Sequence, residues 1–262
     1  MATVNPPQTT RSFGRRPRGT SAGRPLKLRT QLILQAICLF LTFTVLYPIF
    51  WVVARSIDPS SLNRPTSLLP EGATLDAYRA VLSQPTTNPV SFARLAINTV
   101  MLAGGVTIFA LAIAVSAAYA FSRLNFRGRQ QLMLAVLGVL MLPAVAGIAP
   151  LFVLLNRVVI NGFNLRNSLL GVGLAMTSGA LPFAIWNLKG YLDTIPKELE
   201  EAATIDGATR TQTFLRIILP LAAPALAVTA FLVFLGGWTE FYLSWQFLTE
   251  PKNFTLAMAL YN

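Results

Sequence analysis

The sequence predicts an all-α polytopic membrane protein, and three observations carry that reading. More than half of the 262 residues are hydrophobic and only 12% are charged, a balance far from that of a soluble domain. Five apolar runs, residues 32–54, 95–121, 132–156, 168–188 and 221–247, are each long enough to cross a bilayer as a helix. About 20 mostly apolar residues cover a hydrocarbon core roughly 30 Å thick, and a helix satisfies its own backbone polar groups there without water. The basic residues, finally, collect in alternate loops.

Residues 1–31 form a basic arm, rich in Pro, Gly, Thr and Arg, that is expected to be disordered and cytoplasmic. Seven Arg or Lys and no acid fall within its first 29 residues. A secretory signal is the competing reading of this arm and the first span, but the apolar run is too long and lacks a small-residue cleavage site. With the N-terminus inside, the inner segments hold 14 of the 21 basic residues, and cytoplasmic loops carry the excess of Lys and Arg. The outer loop 55–94 contains Pro59, Pro65, Pro70, Pro85 and Pro89, with a short helix expected over 74–82, and reads as a docking or covering surface.

In the second span Ala110, Ala114 and Ala118 recur every four residues on one face, with Gly104 and Gly105 earlier, which suits close packing against another helix. Pro143 and Pro150 in the third span and Pro182 in the fourth each free a backbone carbonyl and should bend their helices, for packing or to line a path. The fifth span carries one charge, Glu240. A carboxylate at such a place costs about 1–3 kcal/mol unless it faces protein or water. Glu240 therefore has two readings: a substrate path shared with Trp238 and Tyr242, or a buried group bonded to a neighbouring helix.

Composition also excludes chemistry. Histidine is absent and Cys38 is the single cysteine, so His-based catalysis, Cys/His zinc sites and intrachain disulfides are not available. No G-x-x-x-x-G-K-[ST] phosphate loop occurs. The net charge of +11 sits largely in the arm rather than among stacking aromatics, which disfavours nucleic acid.

Residues 189–220, between the fourth and fifth spans, read as two short helices in water. Pro196 suits a helix start, and Glu198, Glu200 and Glu201 favour the positive end of the helix dipole. Leu199, Ala202, Ala203 and Asp206 share one face, with Lys197, Glu200, Glu201 and Thr204 around the other. Gly207 permits a helix stop, Thr209 and Gln212 form a capping box, and Pro220 marks the next span. A helix lying on the bilayer surface is the competing reading, but such helices are basic and bulky-faced.

Glu201-Ala202-Ala203, then Gly207, then Ile217-x-Leu219-Pro220 matches the EAA loop at every fixed position, so the chain resembles an ATP-binding-cassette importer permease. YLDTIPKELEEAATIDGAT, AYAFSRLNFRG at 118–128 and WTEFYLSW at 238–245 are similar to the carbohydrate branch, most of all to the second permease subunit of maltose and maltodextrin importers. The resemblance covers 32–262 and implies a type I importer permease fold in a bacterial inner membrane. It implies that the loop docks on a separate ATPase dimer, with Glu201 making a polar contact, Ala202 and Ala203 allowing close approach and Gly207 making the turn. It further implies a companion permease subunit as heterodimer, an extracytoplasmic solute-binding protein and membrane lipid as partners. ATP and Mg would belong to the ATPase, with no cofactor on this chain and no catalysis by it. The family pattern has six spans against the five visible here, so either the sequence is truncated before a sixth, which is the expectation, or this member lacks that helix, and the surface around 249–262 is the expected contact for the binding protein. A secondary transporter or channel, a membrane anchor, and an importer of a non-sugar solute are the alternatives.

Overall fold

The computed structural model describes residues 27–59, 72–160 and 162–260. Most of the basic arm, together with Pro65, Pro70 and the last two residues, lies outside them. The chain divides into an N-terminal unit, Met1–Leu75, and a larger one, Asp76–Asn262.

In the first unit α1 (Leu28–Ser56) is a 29-residue helix without an acidic residue in its first turn and with apolar side chains exposed all round. That pattern belongs to a helix whose solvent is lipid. Its end is ordered by Arg55, which pairs with Asp58 at 3.1 Å and lies over the Trp51 ring.

The second unit opens with α2 (Asp76–Ser83) and is built on three helices: α3 (Phe92–Arg123), α6 (Leu169–Leu192) and α10 (Ala223–Trp238). Two apolar clusters hold them together. One joins Leu102 and Val106 of α3, Val172 of α6 and Val233 of α10, and the other joins Ala114 and Ala118 with Leu188, Leu192 and Ile218. Ala103, Ala110, Ala114 and Ala118 are fully buried, so α3 packs along one small-residue face. Gly104 and Gly105 lie off that face, with open space around them. The glycine that matters is Gly237 of α10: a Cβ there would sit 2.7 Å from the Cα of Ala103. Asn187 of α6 adds a polar link across the core, donating to Thr229 at 2.8 Å.

Two of the expected spans are not single helices. The third breaks into α4 (Arg129–Leu140) and α5 (Ile148–Asn156), separated by a 3-10 turn at Ala144–Gly147 and bent by 97°. Pro143 explains the break, since it has no N–H to donate and its ring clashes with the preceding turn. The fifth begins as a π turn (Phe214–Ile218) and α9 (Leu219–Leu221), bends by 71°, and continues as α10. Pro224, in the first turn of α10, cannot donate back to Pro220 and so ends the incoming ladder. The run to residue 247 is also interrupted: α10 stops at Trp238, and α11 (Tyr242–Phe247) is a separate short helix. Pro182, by contrast, stays inside a continuous α6. Among the described residues three helices are thus long and apolar enough to span a membrane, or up to five if each bent pair is one span.

After α5 a two-residue hairpin, β1 (Val159–Ile160) with β2 (Phe163–Asn164), leads into α6. The end of the chain returns over the same side. A 3-10 turn at Pro251–Asn253 and α12 (Leu256–Ala259) are pinned to the start of α3 through their backbone. Asn98 donates to the carbonyls of Lys252 (2.8 Å) and Phe254 (2.9 Å), Arg94 donates to Lys252 O (3.2 Å), and Thr99 Oγ1 accepts from Leu256 N (2.9 Å).

Candidate functional site

The loop between α6 and α10 is built from local rules. α6 ends at Leu192, and Asp193 beyond it accepts from Lys189 and Ser122, each at 2.6 Å. Partial burial opposes ionisation of Asp193, but the hydrogen bonds from Lys189 and Ser122 and the charges of Lys189 and Arg123 outweigh it and hold its carboxyl below the ordinary range. A depressed carboxylate contributes stability above its unfolded value and loses it only as pH falls through the lower folded value, so this link is intact at neutral pH.

Helix α7 (Glu198–Ile205) starts two residues after Pro196 and carries three acids in its first turn, at the positive end of the dipole. It closes on Gly207, whose φ of +83° is the left-handed conformation that glycine adopts at low cost. Gly207 N donates to Thr204 O (3.1 Å) and Ala208 N to Ala203 O (2.9 Å), the paired bonds of a Schellman stop. Thr209 and Gln212 then form the capping box of α8 (Arg210–Thr213). Ile218 is fully buried under α3 and α6, with Ile217 and Leu219 half-buried beside it and Pro220 exposed.

The faces of α7 differ from those expected. Of Leu199, Ala202, Ala203 and Asp206, only Ala203 is buried; Leu199, Ala202 and Asp206 are exposed together with Glu198, Glu201 and Ile205. Glu200, grouped above with Lys197, Glu201 and Thr204, turns inward while those three stay exposed. It accepts from Arg123 Nε and, at 3.1 Å, from the Tyr119 hydroxyl. The physical reason lies outside α7: an arginine at the last turn of α3 offers a buried cation to the nearest carboxylate. Arg123, with its side chain only 6% exposed, also donates to Ile195 O (2.8 Å) and Ser122 Oγ (3.2 Å). Tyr119 packs its ring against that of Phe214 in the π turn, tilted by 55° with centroids 4.8 Å apart. Arg123, Tyr119 and Glu200 are absent from the motif. The signal that could have found them is the arginine ending an otherwise apolar helix in AYAFSR.

The second group gathers at the top of α10. Glu240 accepts at both oxygens: from Leu243 N (2.6 Å), and from Ser244 N (3.0 Å) and Ser244 Oγ (2.6 Å). From the position before the N-cap residue Phe241 its carboxylate satisfies the first-turn N–H groups of α11, where a new helix begins after α10 has ended. Glu240 and Tyr242 also line a cleft of about 690 Å³ against Pro143, Ile148 and Met176, at the break in the third span. Trp238 is turned elsewhere, stacked on Phe234 at 6.0 Å.

The family described as binding-protein-dependent transport system inner membrane component matches residues 110–260. The chain belongs to this family. The match contains α6, the whole loop and α10. Relatives of this permease include the trehalose/maltose transport system permease protein of Thermococcus litoralis, 36% identical over 88% of this chain and 80% of the relative. The galactooligosaccharides transport system permease protein of Bacillus subtilis is 31% identical over 85% and 76% of the two chains. The maltose/maltodextrin permease protein of Escherichia coli is 30% identical over 90% and 83%. A solved bacterial ABC transporter, described as importing the acidic polysaccharide alginate, superimposes with a TM-score of 0.71 over 89% of this chain and 79% of that one, at 24% identity. The fold is therefore that of a type I importer permease. This permease is a multi-pass inner-membrane transport component and not an enzyme.

Proposed function

We propose that this permease forms half of the membrane path of an ATP-driven sugar importer and receives the push of hydrolysis through the loop 189–220. The observation that carries the reading is the α7–Gly207–α8 turn, a capped helix pair that offers Glu201 and Ala202 to solvent while Ala203 is buried and Ile218 packs into the cluster with α3 and α6. A groove on an ATPase can seat such a face, and rigid-body motion then passes to the spans on either side. The ATPase dimer would hold ATP and Mg, a companion permease the other half of the path, and a solute-binding protein the substrate at the outer face around 249–262. The arm would lie on the cytoplasmic side. Sugar is favoured because the named relatives are permeases for trehalose, maltose and galactooligosaccharides.

The test is reconstitution with these partners in proteoliposomes. Uptake of an oligosaccharide that depends on ATP and on the binding protein is the expected result. Uptake driven by an ion gradient without an ATPase would establish a secondary transporter, and no uptake of any solute a membrane anchor.

Within this path we assign Glu240 and Tyr242 to the lining of the cleft, from which Trp238 is turned away. Glu240→Gln keeps one acceptor for the cap of α11 but removes the charge. Sugar uptake is expected to fall while the amount of protein in the membrane holds. Uptake at the normal rate assigns Glu240 to capping alone.

A further inference from the structure

Three separate parts of the loop converge on the last turn of α3, a helix that adjoins the loop nowhere in sequence. The end of α6 arrives through Asp193, bonded to Ser122 (2.6 Å), and through the Ile195 carbonyl, bonded to Arg123 (2.8 Å). α7 arrives through Glu200, held by Arg123 and Tyr119, and the π turn arrives through Phe214, whose ring packs at a tilt against Tyr119. These parts are far apart along the chain from α3, and this shared partner ties them to it. An arginine at the inner end of a span is ordinarily a topology anchor whose head lies in water or among lipid headgroups. Arg123 does neither, since its side chain is 6% exposed and its donors are directed to Glu200, Ile195 and Ser122.

We infer that Arg123 is a positioning residue that latches the coupling loop to α3 through Glu200, so that loop and α3 move as one body and the push enters three spans instead of the two that flank the loop. The inference rests on the coupling role proposed above. A planar guanidinium suits the task because its donors diverge in fixed directions, reaching a carboxylate, a carbonyl and a hydroxyl at once, which an ammonium on a flexible stem does not reproduce.

The test measures sugar imported per ATP hydrolysed in proteoliposomes holding the complete complex. Arg123→Ala is expected to assemble with the ATPase and to hydrolyse ATP, with the ratio lowered about fivefold or more. Arg123→Lys is expected to recover part of it, and the exchanged pair Arg123→Glu with Glu200→Arg more than either single variant. A merely structural contact would lower the yield of complex and leave the ratio unchanged in whatever assembles, which overturns the latch. Glu200→Gln preserves side-chain shape and serves if Arg123→Ala does not assemble; a full ratio there overturns the proposal equally. Glu201→Lys is run alongside. If it uncouples while the Arg123 and Glu200 variants stay coupled, only the latch fails; if it too stays coupled, the loop reading itself fails.

Discussion

Gly237→Leu removes the permease from the membrane fraction. A Cβ at this position lies 2.7 Å from the Cα and 3.0 Å from the Cβ of Ala103, so the obstacle is backbone on the facing helix and not a side chain that can swing away. Adding even a methylene to a packed interior costs about 1–3 kcal/mol, and a leucine forces α3 and α10 apart along the face on which the core depends. Because Ala103, Val106 and Val233 pack around this approach, separation there exposes the first cluster along its length. The neighbouring Gly236 is the control, since a Cβ there meets nothing within 4 Å and Gly236→Ala should be silent. Yield after detergent extraction and the melting temperature of the purified protein measure the effect. Normal yield and Tm for Gly237→Leu would show that the two helices tolerate separation.

The second large effect is functional. Gly207→Pro and Glu201→Lys leave the protein in the membrane and lower transport per ATP by about tenfold or more, equivalent to at least about 1.4 kcal/mol of lost coupling. Proline holds φ near −65°, whereas Gly207 sits at +83°, and proline also deletes the N–H that bonds Thr204. The Schellman stop is lost, and α7 no longer holds its angle to α8. Glu201→Lys acts differently: its side chain is exposed and bonds nothing within the described residues, so reversing its charge disturbs only what docks against it. Agreement between the two variants, one changing geometry and the other charge, is what the coupling role requires. Full coupling in both, with the ATPase bound, would remove the loop from the mechanism.

What could be read in advance followed how local the cause was. Gly207, Thr209 with Gln212, and the alanines 110, 114 and 118 act through their own backbone or through a helical period, and the structure places them in a stop, a cap and a packed face as that logic requires. The break at Pro143 was foreseeable as a bend but not as a turn of 97°, because the angle depends on the 3-10 turn that follows it. Residues 221–247 looked uniform because hydropathy measures apolarity and is blind to hydrogen-bond supply. Pro224 withholds a donor, and Glu240 prefers the N-terminus of α11 to the ladder of α10. The orientation of α7 was the least legible. Eight residues make barely two turns, and which face turns inward is decided by Arg123, 77 positions away from Glu200.

The returning segment at the N-terminal end of α3 has a consequence for change over evolutionary time. Asn98, Arg94 and Thr99 hold residues 252–256 by their carbonyls and N–H groups, atoms that every substitution other than proline at a donor position leaves in place. The exposed side chain of Lys252 takes no part in that attachment and pairs only with Glu250, which itself accepts from Asn167. Position 252 can therefore be rewritten to recognise a new partner while the chain that bears it stays put, so novelty there need not endanger the fold.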